Sequence, residues 1–194
     1  MTERAETPSD EQLCRAVARG DERALRVLVE RHRDRVYGLL LRSTGSAADA
    51  DDLFQDVWIR VVRAAGDFDP AQRFRPWLWR IAINLVRDAA RRRKALVWST
   101  TEDGNLPERG DPAPAPDAQV AAGQEARALH RAIASLPQGQ RDVLLLRWIE
   151  GLGEREVAEA VGIPPGTVKS RLHHAMRNLR ALLTAAPGRE EVAG

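Results

Sequence analysis

Apolar residues recur every three to four positions along most of this chain. Leu13 and Val17 follow Ser9, which is placed to cap a helix, and Leu25, Leu28, Val29, Val36, Leu39 and Leu40 form the next stripe. These two helices meet near Gly20-Asp21. Thr44-Gly45-Ser46 breaks the pattern before a third helix, from about Asp49 to Ala65, that turns Phe54, Val57 and Val61 inward. Gly66 to Asp69 makes the next turn. A fourth helix opens near Pro76, a residue suited to a first helical turn, and buries Leu78, Ile81, Leu85 and Ala89. Further on, the spacing predicts helices over Gln124 to Ser135, Gln138 to Ile149 and Glu154 to Val161, then a longer one from Gly166 to Leu183. No run alternates as a strand and no unit repeats. The expected fold class is all-α, in two small helical bundles.

Between the bundles the pattern lapses. From Val97 to Gln124 the chain holds Pro107, Pro112, Pro114 and Pro116 among small residues, and five acids (Glu102, Asp103, Glu108, Asp111, Asp117) face one base, Arg109. That composition reads as a flexible, solvated linker, either a plain spacer or a cover for a basic surface. The organisation expected is a first domain over residues 8–95, a linker over 96–124 and a second domain over 125–186.

Composition narrows the function classes. With 194 residues and 43% hydrophobic content, the chain can bury cores and is not disordered throughout. Lys plus Arg (30) nearly cancels Asp plus Glu (28), so what matters is where each sign collects. The lone Cys14 excludes an internal disulfide and reads as a small buried hydrophobe. The N-terminal stretch is polar, and no later segment approaches the roughly 18 apolar residues that span a membrane. A soluble, cytoplasmic protein is expected. No glycine-rich phosphate loop and no nucleophile with a recognisable partner is present, and His32, His130, His173 and His174 lack metal-ligand spacing. No enzyme, cofactor or metal site is expected.

The C-terminal region carries the sharpest signal. Glu154 to Val161, a break at Gly162 with Pro164-Pro165, and a helix from Gly166 have the form of a helix-turn-helix: Ala158 is small enough for a close crossing, and Gly162 permits the bend. In the second helix Val168, Leu172, Ala175, Leu179 and Leu183 share one stripe. The other face presents Ser170, His173, His174 and Arg177, flanked by Lys169 and Arg171, with Thr167 at its start. No acid occurs from Thr167 to Ala186. Such a rod suits the major groove, where Arg and Lys favour guanine edges and phosphates.

The first domain shows two surfaces of opposite sign. Asp52, Gln55 and Asp56, at i, i+3 and i+4, form an acidic patch, either a solvated face or a docking surface for a basic protein. On the fourth helix Trp77, Arg80, Asn84, Arg87, Asp88 and Arg91 run along one face toward Arg92, Arg93 and Lys94, six bases against one acid from Arg80 to Lys94. Rings among arginines and an amide suit single-stranded or distorted DNA. Phe68 and Phe74 add rings nearby, while Trp77 and Trp79 are equally readable as core.

Together these segments resemble the extracytoplasmic-function (ECF) sigma factors of the sigma-70 family, over nearly the whole chain apart from the linker and extreme termini. Asp52-Leu-Phe-Gln-Asp-Val-Trp-Ile is similar to region 2.2, Phe74 to Asn84 to regions 2.3 and 2.4, and Leu136 to Arg180 to region 4. The resemblance implies an alternative sigma factor that binds core RNA polymerase and directs promoter-specific initiation. By it, Asp52, Gln55 and Asp56 dock on the coiled coil of the largest subunit, and the polymerase flap is a further contact. Asn84, with Asp67 and Phe68 before it, captures a base flipped from the minus-10 element, and Trp77, Arg80, Arg87 and Arg91 line the same surface. Thr167, Lys169, Ser170, Arg171, His173, His174 and Arg177 read the minus-35 element. The family often has Arg where His174 stands. An anti-sigma factor is a further implied partner. Two other readings remain open at this stage, a regulator that binds DNA alone through residues 166–183 and a protein-binding module that sequesters another regulator.

Overall fold

The computed structural model describes residues 7–100 and 120–184. The chain forms α1 (Asp10–Ala18), α2 (Glu22–Thr44), α3 (Ala47–Ala64), a 3₁₀ turn (Ala65–Asp67) and α4 (Phe74–Thr100). These are followed by α5 (Val120–Ser135), α6 (Gln138–Leu144) with a π-helical turn over Leu145–Ile149, α7 (Glu154–Val161) and α8 (Pro165–Thr184). No strand occurs among the described residues.

Local chemistry sets the boundaries. Ser9 and Gln12 close a reciprocal capping box on α1. Asp21 accepts from the backbone N–H groups of Arg23 and Ala24 to start α2, and Ser46 from that of Asp49 to start α3. The first backbone N–H of α4, on Phe74, donates to Glu11 Oε1 (2.9 Å), so α1 caps a helix more than sixty residues away in sequence.

Leu13, Leu28, Val36, Leu39, Leu40, Val57, Val61, Leu78 and Ile83 fill the core of the first bundle. Phe74 and Trp79 are its largest fully buried side chains. Each such side chain contributes about 1.5–3 kcal/mol relative to exposure. Of the positions expected inward on the fourth helix, Leu78 and Leu85 are buried while Ile81 and Ala89 are half-buried at its margin. The second bundle packs Ile133, Leu136, Val143, Leu145, Leu146, Leu152, Val157, Val168 and Ala175. Leu172, expected on the inward stripe of α8, is half-buried against this core. The bundles also pack on each other, α4 lying against α7 and α2 against α5.

Two boundaries differ from the sequence reading. The linker expected over 96–124 begins and ends in helix, because α4 runs to Thr100 and α5 starts at Val120. No Gly or Pro stands between Phe74 and Gly104 except Pro76, in the first turn of α4, so nothing in the sequence stops that helix at 95. The prolines and acids that mark the linker all lie outside the described residues. The helix expected over Gln138 to Ile149 changes to a π turn after Leu144, where Glu150 N–H bonds to Leu145 O (3.0 Å).

Cys14 is fully buried, and burial with the nearby Glu11 carboxylate pushes its thiol up to about 11. The folded protein at pH 7.5 should therefore resist iodoacetamide, and 8 M urea should restore the reactivity of an ordinary thiol. Rapid modification of the native chain would refute this placement.

Candidate nucleic-acid interface

The helix-turn-helix is built as its residue types require. Gly162 ends α7 at φ +72°, a left-handed conformation costly for any residue with a Cβ, and its N–H bonds back to Ala158 O (2.9 Å). Gly153 N–H donates to Glu156 Oε2 (2.8 Å) at the start of α7. Val168, Ala175 and Leu179 hold α8 on the core. Lys169, Ser170, His173, His174 and Arg177 are exposed together on its far side, with Thr167 half-buried at its start. Arg177 donates to His174 Nδ1 (3.2 Å), Ser170 Oγ to Thr167 O (3.1 Å), and Lys169 lies 3.7 Å from Glu154. Arg171 is drawn off this face. Its guanidinium lies against Gly139 of α6, where a Cβ would sit 2.9 Å from Nη1.

On α4 the expected single stripe divides in two. Asn84 and Arg91 are exposed, and Arg91 pairs with Asp88 one turn earlier. Arg80 and Arg87, about 20–60° away around the helix, turn toward the second bundle. Trp77 is half-buried, with its ring edge-on to Phe68 (5.0 Å) and tilted against Phe74 (5.6 Å). Phe68 itself is buried, as is Trp79. The rings expected to meet bases are thus largely core, fixing the loop before α4, and Asp67 is the exposed member of that loop pair. A ring among arginines in sequence carries no sign of which way it points.

The acidic patch on α3 is open. Asp52, Gln55 and Asp56 are exposed, and no ion pair engages them among the described residues. Ile59, one turn on and 48% exposed, extends the patch with an apolar contact that the charge pattern did not reveal.

Sequence reasoning also missed a set of ion pairs between the bundles, in each of which the second bundle supplies the acid and the first the base. Arg87 Nε donates to Asp142 Oδ2 (2.8 Å) and its Nη1 to Val161 O (3.3 Å). Arg80 Nε donates to Glu159 O (3.2 Å), with Glu159 Oε1 at 3.5 Å from its Nη2. Arg73 pairs with Glu156 (3.1 Å) and Arg42 with Glu150 (3.6 Å). Arg75 donates to Glu150 O (2.8 Å), and Arg141 of the second bundle donates to Ser43 O (2.8 Å). Asp142 and Glu150 are buried, and desolvation raises the pKa of each against the pull of the arginines around it. The exposed pairs contribute about 0–1 kcal/mol each. Between α4 and the second bundle lies an open cleft of about 560 Å³ lined by Arg87, Arg91, Arg171, Gly139 and Gly162 among others.

With this geometry the chain offers a cationic helix face fit for a duplex groove, an amide-and-arginine edge on α4, and a separate acidic docking face. Comparison with known proteins identifies the family. Residues 28–96 match the family model described as Sigma-70 region 2, and residues 126–179 that of Sigma-70, region 4. The chain is 35% identical to the RNA polymerase sigma-H factor of Pseudomonas aeruginosa over 86% of its length and 89% of the relative's. It is 39% identical to the ECF RNA polymerase sigma factor SigE of Mycolicibacterium smegmatis, over 91% of this chain and 70% of that one. A solved structure of CnrH in complex with the cytosolic domain of CnrY is similar at 29% identity with a TM-score of 0.68, covering 92% of this chain and 99% of that one.

Proposed function

Because the chain belongs to the extracytoplasmic-function class of sigma-70 factors, whose members act in transcription initiation with RNA polymerase, we propose that it reads both promoter elements, each with a different bundle. The observation that carries the reading is the coexistence of a free acidic patch on α3 with an acid-free helix face on α8, in the regions matched to Sigma-70 regions 2 and 4. The α3 patch docks on a basic surface of core polymerase through Asp52, Gln55 and Asp56, with Ile59 beside them. The α8 face enters the minus-35 major groove. Lys169 and Arg177 engage guanine edges or phosphates, and Ser170, His173 and His174 read more permissively. At the minus-10 element Asn84 hydrogen-bonds a base extruded from the duplex, Asp67 stands at the edge of its pocket, and Arg80, Arg87 and Arg91 hold the adjoining backbone. Unpairing costs a few kcal/mol, which the captured base and backbone contacts offset. Phe68 and Trp77 act by fixing the loop's shape.

Co-purification of the tagged chain with core polymerase, followed by run-off transcription, tests the whole. Wild type should start transcripts at discrete sites. Asp52→Arg should lower core affinity tenfold or more, as reversal of an interfacial charge costs about 2–5 kcal/mol, while leaving the thermal melt unchanged. Undiminished co-purification of that variant would remove the patch from the interface.

Asn84→Ala should slow promoter opening about tenfold or more, since a base-edge contact is worth about 1–3 kcal/mol, with closed-complex affinity nearly unchanged. Permanganate footprinting and gel shift on the same promoter separate the two steps. Equal losses in both would count against base capture.

A further inference from the structure

Arg171 takes no part in the exposed face of α8. It is half-buried, and among the described residues it has neither an ion pair nor a hydrogen bond. Its guanidinium lies beside Gly139, in the cleft that Arg87 and Arg91 of α4 also line. Those two arginines are only partly engaged. Asp142 and Val161 O take Nε and Nη1 of Arg87, and Asp88 takes Nη2 of Arg91. No acid among the described residues lines the cleft itself.

Three like charges around one concave space repel one another, and the concave surface concentrates their field. An anion carrying more than one charge relieves that repulsion at several points at once. Guanidinium groups match phosphate oxygens with paired, parallel N–H···O bonds. The cleft's volume, about 560 Å³, suits a small molecule. Val161 and Ile163 give the same space an apolar side.

We propose that this cleft is a binding site for a small phosphate-chain anion, whose diphosphate group is clamped by Arg87, Arg91 and Arg171 together. The site is distinct from the DNA strip of α4, because it draws Arg171 and Gln138 from the second bundle and leaves out Arg80 and Asn84. It stands without the promoter reading. Free diphosphate and the diphosphate of a nucleotide carry the same group, and Val161 and Ile163 offer the nucleotide a surface for its sugar or base.

Isothermal titration calorimetry of the full chain, without DNA or polymerase, tests this with inorganic pyrophosphate and with ADP, against sulfate at matched ionic strength. Pyrophosphate should bind saturably at one site per chain, and sulfate about tenfold more weakly or less tightly still. Arg171→Ala should weaken pyrophosphate about tenfold or more, the loss of a charge-assisted contact. Arg180→Ala removes an exposed charge from the same helix and should change affinity less than about twofold, as a screened surface charge does. Gly139→Ala leaves net charge unchanged, but its Cβ would stand 2.9 Å from Arg171 Nη1. It should displace the guanidinium and weaken binding about threefold or more, through the misaligned charge-assisted contact. Alanine also favours helix at this position of α6, so Gly139→Ala carries the test if Arg171→Ala does not fold, and circular dichroism melts check both. Tighter binding of ADP than of pyrophosphate supports the site with a nucleotide as its ligand, and equal or weaker binding supports it with the free chain. Unchanged affinity in both Arg171→Ala and Gly139→Ala, equal losses in Arg171→Ala and Arg180→Ala, or no saturable binding of either probe overturns the site.

Discussion

Helix α4 has to serve as the spine of the first bundle and as its most cationic rod. Phe74, Leu78, Trp79, Ala82, Ile83, Leu85 and Val86 bury most of its circumference, which leaves a narrow strip for Arg80, Asn84, Arg87 and Arg91. Guanidinium groups one or two turns apart on a rigid strip repel one another and attract any acidic surface of similar spacing. Three ion pairs answer to that strip. Asp88 neutralises Arg91 within the helix, and Glu159 and Asp142 take Arg80 and Arg87. The strip also dictates rigidity. Phe68 and Trp77 close over Phe74, and Glu11 caps the first turn, so the strip stands on a fixed base.

Magnitudes decide what kind of contact the bundles make. Burial of Asp142 and Glu150 works against their charge, and the surrounding arginines return part of that cost. Exposed pairs such as Arg73 with Glu156 add little. The sum is an arrangement that fixes geometry more than it stabilises, because a broken buried pair leaves an uncompensated charge while an intact one gains little over water. An interface of that kind separates when a competing surface supplies partners to both sides. An apolar interface of equal extent would expose its area to water instead, a cost that a competing partner would have to offset by its own binding.

The elements were legible because their signals are local. Ser9, Asp21 and Ser46 each cap the helix that follows, and Gly162 takes the positive φ that the helix-turn-helix spacing demands. The exposed α8 face was equally readable, since Val168, Ala175 and Leu179 fix by periodicity which side is left for Ser170, His173 and Arg177. What escaped depends on distance in sequence. Phe68 and Trp77 read as rings among arginines, and only the approach of Phe74 turns them into core. The linker's start was read from composition, which marks where prolines begin, not where the hydrogen bonding of α4 stops. Asp142 and Glu150 gave no warning at all. On α6 Asp142 looks like a solvated acid, and its partner lies 55 residues away on another bundle.

A net charge of +2 hides three fields, two of them open and one paired off between the bundles. Asp52 and Asp56 of α3 face outward without an ion pair among the described residues, Asp142, Glu150 and Glu159 are taken up by arginines of α2 and α4, and Arg177 with Lys169 of α8 is exposed on the far side of the second bundle. In the packed chain the surfaces left open are therefore the acidic patch of α3 and the basic face of α8, while the arginine strip of α4 is partly covered. Association through the open sites needs no prior rearrangement, and use of the covered strip does. Under the proposed reading, docking through Asp52 and Asp56 would need no rearrangement, whereas use of Arg80 and Arg87 would first break their contacts with Glu159 and Asp142.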